Sequence, residues 1–201
     1  NQFTSDEFGF DTWFDECITL GSTSYFPSGL DVRRTNSIID HLRESLKHEH
    51  PLKSLANGTV SAIIKANDSL STQSPFDKGA SSILRATESS ISNAEEPYFL
   101  FSNFMEAHHP HRPYRRHDKN NIPGNWSSQE IDLAELNESL PESLDKYSHY
   151  ISNFTEIYQQ EVRYLDKMIS SFVNTVQNLS DRETTFIIIS DHGENLAKKD
   201  D

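Results

Sequence analysis

The sequence predicts an α/β fold in which a mostly parallel central sheet is flanked by helices, and three segments carry that reading. Thr185-Phe186-Ile187-Ile188-Ile189-Ser190 is a short, continuously apolar run bounded by polar residues, the pattern of a strand buried on both faces. Tyr98 to Met105, rich in aromatic residues, is long enough for a second buried strand. Between them, apolar residues from Ile157 to Leu179 recur at a spacing of three or four, which predicts a long amphipathic helix over about Ser152 to Leu179. That helix passes through Asp181-Arg182-Glu183-Thr184 into the apolar run, and a helix feeding a strand is half of a βαβ unit.

The earlier elements follow from the same signals. The first thirty residues are aromatic and turn-rich and predict an irregular packed segment. Ile38, Ile39, Leu42 and Leu46 recur at helical spacing from Ser37 to about His48, and Pro51 bars simple continuation. A second helix is predicted from about Leu52 to Lys65, then a loop from Asn67 to Lys78 around Pro75, then a short helix from Gly79 to Ser92. Residues 115–145 are polar with sparse apolar positions, as expected of an excursion over the surface.

Composition limits the function classes. The 201 residues are enough for one domain or for part of a larger one. The chain lacks an initiator methionine and ends in Lys198-Lys199-Asp200-Asp201, so it reads as an excised or incomplete stretch. Eighteen Lys and Arg stand against 31 Asp and Glu, a formal charge of −13 that argues against general nucleic-acid binding. An acidic surface also suits a high-salt environment. An anionic substrate would need a bound divalent ion and a few convergent cations to offset that charge.

The one cysteine, Cys17, excludes an internal disulfide and, without a neighbouring base or cation, reads as a small buried residue. No run approaches a membrane span and no signal peptide opens the chain, which leaves cytoplasmic and secreted locations both open. Six Asn-x-Ser/Thr sequons begin at Asn57, Asn67, Asn125, Asn137, Asn153 and Asn178, in a chain rich enough in these residues to yield several by composition.

The chemistry-bearing residues cluster at the predicted strand ends. Asp191 and His192 follow the apolar run directly, and a carboxylate beside a neutral imidazole suits a divalent metal, with Gly193 allowing a sharp turn. The alternative is a turn-capping aspartate and an exposed histidine. His108, His109, His111 and His117 lie on a loop constrained by Pro110 and Pro113 after the aromatic run. Such imidazoles can donate to an oxyanion, hold a leaving group or ligate a metal. For His109, His111 and His117 a surface cluster with no role is an equal reading, and His109-x-His111 lacks the further ligand spacing of a zinc site. There is no Gly-rich phosphate loop, no Gly-x-Ser-x-Gly elbow and no convincing nucleophile.

In order along the chain, Gly9-Phe10-Asp11-Thr12-Trp13, then Glu96 through His108, then Tyr158 through Asp166, then Ile189-Ser190-Asp191-His192-Gly193-Glu194-Asn195 resemble motifs of the sulfatase family of the alkaline-phosphatase-like superfamily. The resemblance covers about 185 residues and implies that residues 1–201 are an internal part of the catalytic domain. It implies that Asp191 and His192 are ligands of a divalent metal, usually calcium, and that His108 contacts the substrate's sulfate or its bridging oxygen. The family's paired aspartates and its Cys/Ser-x-Pro-x-Arg nucleophile, the source of formylglycine, have no counterpart here, because Thr19 and Gly21 stand where Cys17 would need Pro and Arg.

The implied activity is a metal-dependent sulfuric ester hydrolase, inactive as this stretch alone, with formylglycine in a preceding region. The alternatives are a phosphotransferase or phosphodiesterase of the same superfamily, or a non-catalytic binding module of the same fold. The implied partner is a sulfate-ester or phosphate-ester substrate, with no nucleic acid and no membrane segment.

Overall fold

The computed structural model describes residues 9–18, 25–26, 28–69, 73–117, 122–131 and 144–194. Helices dominate them. Helix α1 (Ile38–Lys47) starts where Ser37, in extended backbone, accepts the Asp40 N–H at 3.1 Å. Asp40 in the first turn and Lys47 in the last complement the helix dipole. Helix α2 (Pro51–Ser69) opens on proline, whose missing N–H costs nothing at a first helical position.

The two helices pack as a hairpin around His41, which is buried and donates from Nε2 to the Ser54 carbonyl at 3.0 Å. From α2 the fully buried Asn57 ties down the preceding chain. It accepts the Phe26 N–H at 2.8 Å and donates to the carbonyls of Phe26 at 3.0 Å and Leu30 at 3.2 Å. An amide so engaged has no room for a glycan, so the Asn57 sequon is a packing residue.

Helix α3 (Ala80–Asn93) lies along helix α4 (Leu144–Leu179), a helix of 36 residues. Ala80, Tyr114 and Tyr164 form one core where they meet, with Phe104 and Met168 beside it. A second core joins Trp126 to Tyr150, Phe154 and Ile157 of α4. The predicted surface excursion is thus partly interior, since Trp126 and Ser128 are buried. Two smaller expectations also change: α4 begins at Leu144 rather than near Ser152, and Cys17 is exposed rather than buried.

The larger correction concerns the sheet. Among the described residues there is no strand or sheet, and the one β-bridge is an isolated parallel contact between Ser74 and Tyr114. Residues 98–104 and 185–190 carry no regular secondary structure and no ladder, and Phe99, Ile187, Ile188 and Ile189 are exposed, Ile189 to 85 %. An apolar run can become a strand only if another backbone pairs with it. Here the first segment is met by a helix side chain instead, Phe104 packing edge-on against Phe172 at 5.7 Å, and the chain before it is tied to the end of α4, where Glu96 accepts from Ser180 Oγ–H and the Asp181 N–H at 2.8 and 3.0 Å.

The α/β fold with a mostly parallel central sheet, and with it the alkaline-phosphatase-like architecture, is therefore replaced by a helical one. The sulfuric ester hydrolase, the phosphotransferase or phosphodiesterase, and the binding module of the same fold all depended on that sheet to fix their groups. This architecture overturns all three. No helix among the described residues is long and apolar enough to cross a membrane.

Candidate functional site

The loop between Glu106 and Arg112 sits against α4 and the start of α3, and a buried ionic array holds it there. Lys78, just before α3, donates from Nζ to the carbonyls of Glu106 at 2.9 Å and His108 at 2.6 Å, and pairs with Glu161 Oε1 of α4 at 2.8 Å. The second oxygen of Glu161 accepts from His111 Nδ1–H at 2.5 Å. Burial pulls the Lys78 ammonium below its ordinary value, against the opposing attraction of Glu161.

His111 is clamped on every side. Its backbone N–H donates to Ser128 Oγ at 2.8 Å, its carbonyl accepts the Ser128 N–H at 3.0 Å, and Tyr150 fixes Ser128 by donating to its carbonyl at 2.7 Å. The ring stands edge-on to Phe154 at 4.8 Å and Tyr158 at 5.6 Å. Because a carboxylate only accepts, Nδ1 carries the proton and Nε2 lies on the side of the ring away from Glu161. It is buried without a hydrogen-bond partner, 3.7 Å from Glu194 Oε2. The His109 ring stands nearly perpendicular beside it, centroids 5.9 Å apart, and its Nε2 is also unpartnered. Burial, then His111, lower the His109 pKa.

Glu106 and Asp77 together close the N-terminus of α3. Glu106 Oε1 accepts the Ala80 N–H at 2.6 Å, and Asp77 accepts the N–H groups of Gly79 and Ser81 at 3.2 and 3.0 Å. Tyr164 donates to Asp77 at 2.8 Å. Gly79 at φ +134° occupies a backbone region closed to most side chains, which lets the chain enter the helix with these carboxylates beneath it. Burial pushes the Glu106 carboxyl up to about 7, with the Ala80 N–H pulling the other way.

The three residues to which the resemblance gives roles, His108, Asp191 and His192, are exposed. His108 donates from Nδ1 to the His109 carbonyl at 2.6 Å, so its imidazole is held on the pinned loop with Nε2 free. Asp191 and His192 lie on the turn after the apolar run. The His192 N–H donates to Asp191 Oδ1 at 2.9 Å, and His192 Nδ1–H donates to the Gly193 carbonyl at 2.7 Å. The Gly193 carbonyl first, then Asp191, raise the His192 pKa.

This arrangement fits a divalent ion. The carbonyl bond leaves His192 Nε2 as the acceptor of the neutral ring, 3.8 Å from Asp191 Oδ1, so one nitrogen and one oxygen are spaced for a shared cation. No hydrogen bond or ion pair joins His108 to Asp191 or His192. The loop and the turn meet instead through His111 and Glu194. Beside Asp77, a cleft of about 390 Å³ is lined by Tyr25, Phe76, Tyr114, Arg115 and Arg116. The matching residue Asn195, like Lys198 and Lys199, lies outside the described residues.

Lys78, Glu106 and Glu161 were not singled out from the sequence. The available signal was the position of Glu161 in register with Ile157, Tyr164 and Met168, a carboxylate on an otherwise apolar helix face.

The Sulfatase family model matches residues 2–201, nearly the whole chain, and the chain belongs to that family. No curated protein and no solved structure matches it. Membership rests on sequence, and the described residues do not carry the alkaline-phosphatase-like sheet with it.

Proposed function

We propose that this member of the sulfatase family is a cation-dependent binding module for sulfated or phosphorylated ligands. Asp191 and His192 hold the divalent ion, calcium being the ion that the resemblance implies, and His108 contacts the ligand's oxyanion. The observation that supports this reading is the pinning of two loop carbonyls, those of Glu106 and His108, by Lys78, which leaves the His108 imidazole exposed at a fixed position. A pre-positioned donor loses little conformational freedom when it meets an anion. The cation supplies charge that the acidic chain lacks, and the neighbouring cleft offers Arg115 and Arg116 for the anion and Tyr25 and Phe76 for an apolar aglycone.

The test is calorimetric titration of the chain with an aryl sulfate and with the unsulfated phenol, in calcium and in chelator. Binding is expected for the sulfate alone and only with calcium, at least tenfold weaker in His108→Ala and lost in Asp191→Ala. Affinity indifferent to chelator and to Asp191→Ala would overturn the proposal.

A further inference from the structure

We propose a second, separate metal position between His111 Nε2 and Glu194 Oε2, selective for a transition metal such as zinc. His111 is fully buried, yet its Nε2 has no hydrogen-bond partner, and such orphaned atoms are rare in folded proteins. Its other nitrogen donates to Glu161, which also pairs with Lys78. A carboxylate behind an imidazole is the arrangement that fixes the tautomer and raises the basicity of metal-binding histidines.

The 3.7 Å between Nε2 and Glu194 Oε2 is too long for a hydrogen bond. Two metal bonds of about 2.1 Å span such a gap at an angle of about 125°, close to the tetrahedral range. The donor set sorts the ions: imidazole nitrogen suits zinc, cobalt and nickel, whereas calcium takes oxygen. No three His, Cys, Asp or Glu side chains are grouped for a metal among the described residues, so the remaining positions of a bound ion would fall to water. The unpartnered Nε2 of His109 lies at the edge of the same space.

Zinc titration against a chromophoric chelator, after stripping with chelator, tests the site. One zinc per chain is expected, with affinity at least tenfold lower in Glu194→Gln and unchanged in Asp191→Ala. Calcium binding should show the reverse pattern, so failure of one site is distinguishable from failure of the other. Since replacing the clamped His111 endangers the fold, nitrogen-15 spectra of the intact chain provide the second readout, in which zinc must shift the His111 Nε2 resonance. Zinc affinity unaltered by Glu194→Gln, or a His111 Nε2 resonance that zinc does not move, would overturn the proposal.

Discussion

Lys78 and Glu161 meet at 2.8 Å across the junction of α3 and α4, and the two oxygens of Glu161 divide between them the ion pair with Lys78 and the Nδ1 proton of His111. One helix carboxylate thus sets the position of a loop fifty residues away in sequence. Removing it leaves the half-buried Lys78 ammonium with carbonyl acceptors but without its paired carboxylate, and the buried His111 Nδ1–H without its acceptor. Glu161→Ala should therefore lower the unfolding free energy by about 3 kcal/mol or more, measured by urea denaturation. The Lys78→Met, Glu161→Leu double variant should recover most of the loss, because no uncompensated charge then remains. A Glu161→Ala midpoint equal to that of the parent would show that the array is not buried in solution.

Glu106 makes stability depend on pH in a stated direction. Its folded pKa of about 7 lies above the ordinary value of 4.5, so the folded state holds the proton more tightly than the unfolded chain. The associated stabilisation is complete below pH 4.5 and is lost as pH rises through about 7, a change of roughly 3 kcal/mol. Glu106→Gln keeps an acceptor for the Ala80 N–H and cannot ionise. Its unfolding free energy should gain on that of the parent as pH rises from 4.5 to 8, and parallel profiles would refute the assignment.

Gly58 faces His41 across the α1–α2 hairpin. A Cβ at this position would lie 2.7 Å from His41 Cδ2 and 2.9 Å from Nε2, inside contact distance of a ring whose Nε2 is committed to Ser54. In an open helix Gly→Ala stabilises by up to about 1 kcal/mol. Here the clash should win, and Gly58→Ala is expected to cost about 1–3 kcal/mol in thermal or urea unfolding. A stabilised variant would mean that the His41 ring can leave its slot freely.

The contrast between helices and sheet shows what the sequence encodes locally. Ser37 and Pro51 mark real helix starts because capping and proline chemistry act within one turn. The apolar run at 185–190 is different, since its fate depends on a neighbouring backbone that no local pattern supplies. The helix face is a subtler case. The apolar spacing from Ile157 to Leu179 counts Val162 in the helix stripe, whereas Val162 is 40 % exposed and Glu161, one residue earlier, is 2 % exposed. One residue is 100° of helix rotation, enough to turn the buried ionic face away from view. For His111 the sequence leaves a surface cluster and a chemical role equally open, because its partner Glu161 comes from far along the chain. Asp191, His192 and His108 stand out as candidates in the sequence because each belongs to a short contiguous motif.

Ile187, Ile188 and Ile189 form an exposed, uncharged, extended run at 81, 64 and 85 % exposure. Their backbone has no ladder partner, and a segment of this kind templates pairing with other chains. The run makes no packing contribution that its replacement would forfeit, so surface charge should change association without changing the fold. Ile187→Lys combined with Ile189→Lys is expected to shift the unfolding free energy by less than about 0.5 kcal/mol. The same variant should suppress the rise in light scattering with protein concentration. If it instead unfolds the chain, the isoleucines are packed in solution and the exposed extended segment is not the state that the protein occupies.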